Sequence, residues 1–464
     1  MKGMVQLIKE NIRYKQNRIG VVTHDDIETY ASIIGIWLTG NIFVPLNPFN
    51  PINRIQQIIQ QADISVVCAS SELPAEWNDI HGFQLLLTNM IELSGEMPAL
   101  PEVSANDFLY LLFTSGSTGV PKGVPISLLN LQSFVFSFIE SGYKFSPDDR
   151  FLQIYNLSFD ASVHCYAVPL AVGACVYTVP QEEIKYLYAL QLMQEKELTF
   201  VKMPPSTIAY MRPFFDRIRL DKLKYCLLGG EALNHELVEE WSACIPNAII
   251  QNVYGPTEAT INCTIFNWTD AVSGKLYNGI VSIGKPFGDT KVIVADKELN
   301  IVKTGETGEL CVAGSQITQG YWNDPEKNKE SFFEVPDNNN IVRYYRTGDI
   351  VKVDDDGDIL YCGRIDEQVQ IDGFRVELGE IEKHARDLFP HHNVAVVSIE
   401  NEQFTTEIHL FIEGLTIPPE EVRKYLEQHL PYYMIPAGIH PSDKFPESAG
   451  GKINKTALRK SIKK

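Results

Sequence analysis

Apolar positions along the chain change their spacing several times, and each change predicts the end of one element and the start of another. Residues 26–38 carry apolar side chains at helical intervals up to Gly40, and the following run IFVPLNP predicts a strand that enters a proline-marked loop. The same order recurs in PINRIQQIIQQADISVVCAS, in LQLMQEKELTFVKMPP and in LVEEWSACIPNAIIQNVYG. Repeated helix-then-strand segments predict an α/β fold in which helices cover the sheets, with ligand sites at the carboxyl ends of strands.

The pattern changes twice in the second half of the chain. From about residue 280, short apolar stretches alternate with turn residues, and the D-D-G-D of VKVDDDGDILYCG is typical of a tight hairpin. Further on, residues 376–388 have helical spacing, HHNVAVVSIE and EIHLFIEG predict strands, and PPEEVRKYLEQHL predicts a helix with proline in its first turn. The C-terminal part is therefore predicted to form a small α+β unit of its own.

Length, charge and cysteine usage limit the classes of function. A chain of 464 residues exceeds the usual size of one core, so two or more domains are expected. The net charge of -19 gives no indication of the basic surface that nucleic acids or anionic membranes attract. The eight cysteines are scattered without a C-x-x-C pair, and the N-terminus lacks a signal-peptide pattern. These features predict a cytoplasmic protein with reduced thiols and with no nucleic-acid or membrane partner.

A loop of small and hydroxylated residues, LLFTSGSTGVPKG, continues the apolar run FLYLLF. A phosphate loop needs glycines that let backbone N–H groups converge, hydroxyl donors, and a lysine for the outer phosphates. The candidates for these contacts are Thr114, Ser115, Gly116, Ser117, Thr118, Gly119, Lys122 and Gly123. Pro121 stands where the Walker pattern requires glycine, so the spacing leaves open a phosphate loop of another kind and a flexible surface turn.

Further motifs follow this loop along the chain. They are NVYGPTEAT at 252–260, YRTGDIV at 345–351, GRIDEQVQIDGFRVELGEIE at 363–382 and GGKINKTALRK at 450–460. Together with the loop and with WLTGNIFVPLNP near the N-terminus, they resemble the motifs of the adenylate-forming superfamily over almost the whole chain. The resemblance implies that ATP and Mg²⁺ are used to convert a carboxylic acid into an acyl-adenylate and pyrophosphate, and that the acyl group then passes to a thiol.

The resemblance also implies an architecture. Residues 1–365 would form a large N-terminal domain of helix-covered sheets with a distorted β-barrel subdomain, and residues 366–464 a small, mobile α+β domain. Asp366 matches the hinge at which the small domain turns, exchanging an adenylating face for a thiol-transfer face. Lys452 would by itself be a solvated lysine on a flexible tail. In the resembled family this position holds the lysine that bridges the substrate carboxylate and the phosphate.

Three further motif residues match groups that act on the phosphates. Thr257 would contact the α-phosphate, Glu258 would hold the magnesium ion, and Lys122 would steady the departing pyrophosphate. These roles suit the chemistry, because two anions must be brought together around a crowded phosphorus atom. Glu258 could alternatively be an acidic residue that favours a helix start.

The nucleoside contacts come from the same motifs. Asp349 would accept both ribose hydroxyls, with Arg364 beside it, because a carboxylate can accept two neighbouring donors. Tyr254 and Tyr361 would flank the adenine, and Asn252 would bond to its amino edge. Tyr361 also fits a plain core position at a strand end. The predicted nucleotide-binding set is completed by Gly230, Val253 and Gly255.

The segment NLSFDASVH concerns the choice of substrate. Asp160 matches the aspartate that pairs with the α-ammonium group in amino-acid-activating members of the superfamily, and it also fits a helix N-cap. The remaining pocket positions, carried over in the same way, are Ala161, His164, Lys202, Leu227, Gly229, Val253, Ile261 and Asn262. Gly229 leaves room, while Lys202, His164 and Asn262 offer polar atoms. A buried lysine needs a partner, so an acidic or amide substrate is expected, with aspartate or asparagine first, unless Lys202 turns outward.

The implied partner is a separate peptidyl carrier protein, since no carrier module follows the Lys452 loop. An acyl- or aryl-CoA synthetase is the alternative enzyme, and an inactive nucleotide-binding relative is an alternative of another class. Two features depart from the family pattern. The segment MKGMVQLIKENIRYKQ stands in for a longer N-terminal part, and Gln370 and Asp372 occupy positions where lysine and arginine are common.

Overall fold

The computed structural model describes residues 1–91, 96–116, 119–269, 274–337, 340–448, 450 and 452–462. Its helices are α1 (Lys2–Asn11), α2 (Ile27–Leu38), α3 (Ile52–Gln61), α4 (Leu128–Glu140), α5 (Asp160–Val172), α6 (Lys185–Glu195), α7 (Pro205–Met211), α8 (His235–Ser242), α9 (Pro325–Ser331), α10 (Leu378–Leu388), α11 (Pro419–Glu427) and α12 (Lys455–Ile462). Across these ranges, no helix combines the length and the apolar character needed to cross a membrane.

The first sheet carries the glycine-rich loop. Its strands are β1 (Arg18–Val22), β2 (Ile42–Leu46), β3 (Val66–Ala69), β4 (Gln84–Leu87), β5 (Phe108–Thr114) and β6 (Lys122–Ser127). Their order is β4-β3-β1-β2-β5-β6, and the neighbours are parallel except for the antiparallel pair β5 and β6. Thr114 and Lys122 lie opposite each other in that pair, so the loop between them is held at a sheet edge.

The second sheet lies at the centre of the fold. Its strands are β7 (Arg150–Gln153), β8 (Cys175–Thr178), β9 (Phe200–Met203), β10 (Tyr225–Gly229), β11 (Ile249–Tyr254) and β12 (Thr264–Trp268), followed after the short hairpin β13 (Leu276–Tyr277) and β14 (Ile280–Val281) by β15 (Lys285–Pro286). Their order is β15-β12-β11-β10-β9-β7-β8. The strands from β8 to β11 run parallel, so their carboxyl ends meet at one edge.

The third sheet replaces the expected barrel. It consists of β16 (Lys291–Ala295), β17 (Thr307–Ala313), β18 (Phe332–Asp337), β19 (Asn340–Val353) and β20 (Ile359–Arg364). The order is β16-β17-β19-β18, and β20 also pairs with the long strand β19. Within the described residues no pairing closes this sheet, so the predicted distorted barrel is an open sheet here. The D-D-G-D hairpin is confirmed, because Val353 pairs with Ile359 across that turn.

The C-terminal unit (the described residues from 366 on) has its own sheet and core. The strands are β21 (Gln368–Ile371), β22 (Phe374–Glu377), β23 (Val394–Glu400), β24 (Thr406–Glu413) and β25 (Gly438–Ser442). β23, β24 and β25 form a sheet against which α10 and α12 pack. β21 and β22 form a hairpin whose two turn residues, Asp372 and Gly373, have φ of 51° and 80°, as an Asp-Gly turn favours. We call residues 368–377 the site hairpin.

Most of the helix and strand predictions are confirmed, and one boundary is shifted. Helix α2 begins as predicted after Asp26, whose side chain accepts the backbone N–H of Thr29 at 2.8 Å. The helix predicted for 376–388 begins instead at Leu378, because the preceding residues pair as β22. Hydrogen bonding across the hairpin overrides the helical spacing there.

A buried ion pair joins the C-terminal unit to the first sheet's helices. Arg54 of α3 donates to Glu380 of α10 at 2.6 Å, and their side chains are only 6% and 1% exposed. Phe159 and Phe374 meet edge to face nearby, with ring centroids 4.5 Å apart. These contacts hold the site hairpin against the central sheet.

The Arg54→Ala substitution should destabilise the protein by about 3–5 kcal/mol, because it leaves the Glu380 carboxylate buried without its cation. Thermal unfolding and limited proteolysis of the C-terminal unit measure the effect. The double variant Arg54→Met/Glu380→Met removes both charges and should recover most of the loss. Equal stability of Arg54→Ala and the wild type would show that this ion pair does not hold the two parts together.

Candidate active site

A cavity of about 350 Å³ lies where the central sheet, the third sheet and the C-terminal unit meet. The predicted nucleotide-binding residues that line it are Gly230, Asn252, Val253, Tyr254, Gly255, Asp349, Tyr361 and Arg364. They come from the carboxyl ends of β10 and β11 and from β19 and β20. Residues of the site hairpin line the same cavity, so segments that are distant in sequence contribute to one concave surface.

Asp349 is the residue that the sequence predicts to bind the ribose hydroxyls. Its carboxylate accepts the Tyr254 hydroxyl at 2.5 Å and the Arg364 guanidinium at 2.7 Å. Burial raises the pKa of Asp349 above its usual value, against the opposing effect of Arg364. The two donors hold the carboxylate in place, and its remaining lone pairs can accept ribose hydroxyls.

Asn252 presents one polar atom to the base end of the cavity. Its Nδ2 donates to the backbone oxygens of Val281 and Ser282, at 3.2 and 2.9 Å. Its Oδ1 can therefore accept a donor such as the amino group of adenine. Tyr361 lines the cavity and is only partly buried, which leaves a ring face for a planar base.

Glu258 is almost completely buried, with 1% of its side chain exposed, in the short turn Thr257–Ala259. It accepts the Tyr321 hydroxyl at 2.6 Å, and Arg375 Nη1 donates to both of its carboxylate oxygens at 2.9 and 3.1 Å. Burial alone would raise the pKa of Glu258, but the Arg375 guanidinium and the hydrogen bonds that Glu258 accepts together outweigh it, so the pKa lies below its usual value. Thr257 is the adjacent residue of the same turn.

Arg375 is the site residue that sequence reasoning missed. It lies within the motif QIDGFRVE, but nothing in its spacing shows that β22 enters the site. A link to Glu258, which precedes it by more than a hundred residues, becomes visible only in the folded chain.

The Mg²⁺ expected for this site fits the residues present. Among the described residues, no group of three or more His, Cys, Asp or Glu side chains could hold a metal ion by itself. Mg²⁺ is commonly bound by one or two carboxylates together with substrate phosphates. Glu258, an oxygen ligand at the phosphate end, suits that kind of binding.

A backbone hydrogen bond joins two described residues of the glycine-rich loop. The Gly119 N–H donates to the Gly116 carbonyl at 2.8 Å, and a Cβ at position 116 would lie 2.1 Å from the Val120 carbonyl oxygen. Only glycine fits that position. Ser115 Oγ donates to the backbone oxygen of Arg375 at 2.8 Å. Two predicted phosphate ligands, Ser117 and Thr118, lie outside the described residues.

Lys122 follows the loop on β6 and points to the same region. Burial lowers its pKa, while the Glu377 carboxylate, 3.9 Å from Lys122 Nζ, counteracts that change. The Lys122 ammonium group thus lies near the Glu377 carboxylate of the site hairpin, at the end of the cavity where phosphates are expected.

The predicted substrate positions form a largely buried group at the start of α5 and the ends of the central strands. Among them, Leu227, Val253 and Ile261 are buried apolar residues and Ala161 is partly buried. Asp160 is the first residue of α5 and does not cap it. Its Oδ2 is buried without a hydrogen-bond partner among the described residues, and burial raises its pKa to about 6.

Lys202 points inward and is 2% exposed. Its Nζ lies 3.3 Å from His164 Nδ1 and 3.3 Å from Asn262 Oδ1, and no described carboxylate forms an ion pair with it. Burial lowers the pKa of Lys202 to about 8 and moves that of His164 well below its usual value. His164 Nε2 has no partner in the described structure. The group therefore combines a buried cation, which interacts electrostatically with Asp160 without forming an ion pair, with neutral donors and acceptors.

Gly229 has a different reason to be glycine than the one predicted. A Cβ at this position would lie 2.2 Å from the Val253 carbonyl oxygen on the neighbouring strand. The close approach of β10 to β11 therefore excludes any side chain at position 229. The space that the missing side chain leaves is a consequence of this approach.

Lys452 is not among the residues that line the cavities. It is exposed, its backbone pairs with Ser448, and it lines neither of the cavities described here. Asp366 lies next to the first cavity, because it accepts the guanidinium of the lining residue Arg364 at 2.7 and 2.9 Å. In this arrangement the C-terminal unit presents the site hairpin to the cavity, and Lys452 does not contribute to its lining.

A second cavity, of about 300 Å³, opens on the other side of the tip of the site hairpin. Gly373 and Phe374 form one wall, and Tyr155, Gln181 and Thr207 belong to the opposite wall. The Tyr155 hydroxyl and Gln181 Oε1 are buried without partners among the described residues. The rest of the lining combines apolar rings with polar and charged side chains, among them Asn156, Lys185 and Asp372.

Comparison with known proteins identifies relatives over almost the whole chain. Residues 6–322 match the family described as AMP-binding enzyme. The chain is 32% identical to tyrocidine synthase 1 of Brevibacillus parabrevis over 95% of its length, and 32% identical to a component of the linear gramicidin synthase of the same organism over 98%. It spans only 40% of the first protein and 9% of the second.

Two solved structures share the fold. The adenylation domain AlmE of Vibrio cholerae, in complex with glycyl-adenosine-5'-phosphate, superimposes with a TM-score of 0.86 at 24% identity, covering 99% of this chain and 91% of that one. PA1221, a protein containing adenylation and PCP domains, gives 0.87 at 24% identity over 98% of this chain and 77% of that one. The match of residues 6–322 shows that the chain belongs to the AMP-binding enzyme family of adenylate-forming ligases, and the two structures show that its fold is that of adenylation domains.

Proposed function

We propose that the protein activates an α-amino acid with ATP as an aminoacyl-adenylate and then transfers the aminoacyl group to the phosphopantetheine thiol of a carrier protein. The observation that carries the first part is Asp160 Oδ2, a buried carboxylate oxygen without a partner among the described residues. An α-ammonium group supplies donors and a positive charge at Oδ2, whereas a fatty or aryl acid would leave this oxygen without a donor and Asp160 with only the more distant charge of Lys202.

The adenylation step joins two anions. A carboxylate oxygen of the amino acid attacks the α-phosphorus, a new P–O bond forms, and the bond to the departing pyrophosphate breaks. Thr257 would bind the α-phosphate and Lys122 the pyrophosphate, while Glu258 would hold Mg²⁺, which neutralises phosphate charge when bound. Lys452 would bridge both reactants after the C-terminal unit turns about Asp366.

The side chain of the substrate is proposed to be acidic or an amide, with aspartate or asparagine first. Lys202 is buried without an ion pair to any described carboxylate, and His164 and Asn262 lie beside it. A substrate carboxylate would compensate the lysine, and a carboxamide oxygen would accept from it.

Transfer to the thiol is supported by the second cavity. A phosphopantetheine arm is long, thin and rich in amide groups, and the polar lining residues Asn156 and Thr207 suit such amides. The thiol sulfur would attack the acyl carbon, the bond to the phosphate oxygen would break, and AMP would leave. A carrier protein as the partner is in keeping with PA1221, which contains adenylation and PCP domains.

An ATP–pyrophosphate exchange screen tests the adenylation step. Aspartate, asparagine, glutamate and glutamine should give exchange above all other amino acids, and Asp160→Ala should reduce it by about a hundredfold or more, because a buried charge pair loses one partner. Asp216→Ala, a change at an exposed aspartate of the second sheet's periphery, serves as the matched control.

Exchange driven equally well by acids without an amino group, in wild type and Asp160→Ala alike, would favour an acyl- or aryl-CoA synthetase. Failure of every acid despite AMP binding would favour the inactive relative.

Lys452→Ala should separate the two half-reactions. Loss of a cation at the charged transition state should reduce exchange by about a hundredfold or more, whereas AMP binding stays intact. Transfer from a synthetic aminoacyl-adenylate to a carrier thiol should also persist, because Lys452 is exposed and lines neither cavity in the arrangement described here. Near-normal exchange in the variant would refute the role of Lys452.

The discrimination between acid and amide should depend on pH through Lys202. Because burial lowers the pKa of Lys202 to about 8, its positive charge is present at pH 7 and largely lost at pH 9. The ratio of KM for aspartate to KM for asparagine should therefore rise by about tenfold between these pH values. Steady-state exchange kinetics measure the ratio, in which the shared α-ammonium group cancels. The Lys202→Met variant should show no such change, and a ratio independent of pH in the wild type would contradict the assignment.

A further inference from the structure

The second cavity has a buried end and an exposed end. At the buried end, the lining includes Asn156 and also Phe159, the residue before Asp160, so the cavity reaches the proposed substrate group. At the exposed end, which we call the mouth, Asp372 and Tyr432 line the cavity and are open to solvent. An acceptor that approaches the acyl group through this cavity therefore enters past the tip of the site hairpin.

Lys185 is the only positively charged residue among the described residues that line this cavity. It is the first residue of α6 and is partly buried, and no described carboxylate lies within ion-pair distance of its Nζ. Burial lowers the pKa of Lys185, and the charges of Asp25 and Asp372, which act from further away, counteract that change. Lys185 thus offers the cavity an ammonium group that has no direct partner among the described residues.

The other charged groups near the cavity are acidic. Asp372 accepts the Tyr210 hydroxyl at 3.0 Å at the mouth, and the exposed Glu183 also belongs to the lining. Asp25 lies buried behind Lys185. An anion that enters this cavity is therefore repelled by carboxylates unless it binds beside Lys185.

We propose that Lys185 binds the phosphate group of the phosphopantetheine arm and thereby places the arm in the second cavity with its thiol at the buried end. This inference rests on the proposed transfer to a thiol. The arm carries its thiol at one end and its phosphate at the other, so the phosphate lies toward the mouth when the thiol approaches the acyl carbon. An ammonium group suits this phosphate, because it is a point charge that can donate to any of the phosphate oxygens.

The position of Lys185 does not depend on the site hairpin. Its helix, α6, packs against α7, and the Tyr186 and Tyr210 rings meet with centroids 5.6 Å apart. The phosphate contact thus belongs to the part of the chain that also carries Asp160, and the hairpin contributes only the acidic Asp372 to the mouth.

The contact should appear as a preference for the phosphorylated arm. Pantetheine has the same amide and thiol groups as 4′-phosphopantetheine but lacks the phosphate. Calorimetric titration of each compound into the AMP-saturated protein measures the preference without knowledge of the amino acid. The wild type should bind 4′-phosphopantetheine about tenfold more tightly than pantetheine, because the phosphate adds a charge-assisted contact.

Substitutions of lysines on the same helix make the test specific. Lys185→Met should bind both compounds with the affinity that the wild type has for pantetheine, and Lys185→Arg, which keeps the charge, should retain most of the preference. Lys196→Met, a change at an exposed lysine at the other end of α6, is the matched control and should keep the full preference. AMP affinity and the melting temperature establish that each variant is folded.

Coenzyme A, which ends in the same phosphorylated arm, distinguishes the two sources of that arm. Binding of coenzyme A more tightly than 4′-phosphopantetheine would identify the free coenzyme as the source, and equal or weaker binding would identify an arm tethered to a carrier protein. With either source, the proposal requires that Lys185→Met weaken the binding of coenzyme A as well.

Two results would overturn the role of Lys185 even if exchange and transfer to a carrier are found. They are equal binding of pantetheine and 4′-phosphopantetheine by the wild type, and a preference that persists in folded Lys185→Met. Absence of binding by both compounds would overturn it together with the role of the cavity in transfer. A preference that Lys185→Met abolishes would sustain the inference even if no acid drives exchange and the proposed function fails.

Discussion

The arrangement of the site depends on one buried carboxylate. Glu258 is held away from water, where an ionised group is stable only beside a positive partner. In this structure Arg375 is that partner, and it belongs to the C-terminal unit. This ion pair therefore connects the C-terminal unit, which comprises about a hundred residues, to the end of the cavity where phosphates are expected.

The fold supplies the other groups with little adjustment. The carboxyl end of β11 and the turn after it bring Asn252, Tyr254 and Glu258 to one edge of the central sheet, and the β19–β20 pair places Asp349 opposite Arg364. Lys122 follows the glycine-rich loop on β6. Asp349 and Glu258 are each braced by two neighbouring donors, which favours charge stabilisation without reorganisation.

Most residues that the motifs single out for the nucleotide line one cavity, whereas the relative placement of distant segments could not be predicted from the sequence. Asp349 and Arg364 are close in sequence and paired through a hairpin, so their meeting follows from local pattern. Arg375 and Lys452 both lie in recognisable motifs, yet which of them faces the cavity depends on how the C-terminal unit is turned. The Arg54–Glu380 contact, which fixes that turn here, involves side chains that no local pattern connects. The open third sheet, too, is decided by long-range strand pairing.

Gly229 limits how this part of the central sheet can change over evolutionary time. Because the Val253 carbonyl lies where a Cβ at position 229 would be, no side chain can be introduced there unless β10 and β11 move apart. A single substitution at this position would therefore disturb the pairing of two central strands. The spacing of β10 and β11 thus removes one position from those at which side chains can diversify by single steps.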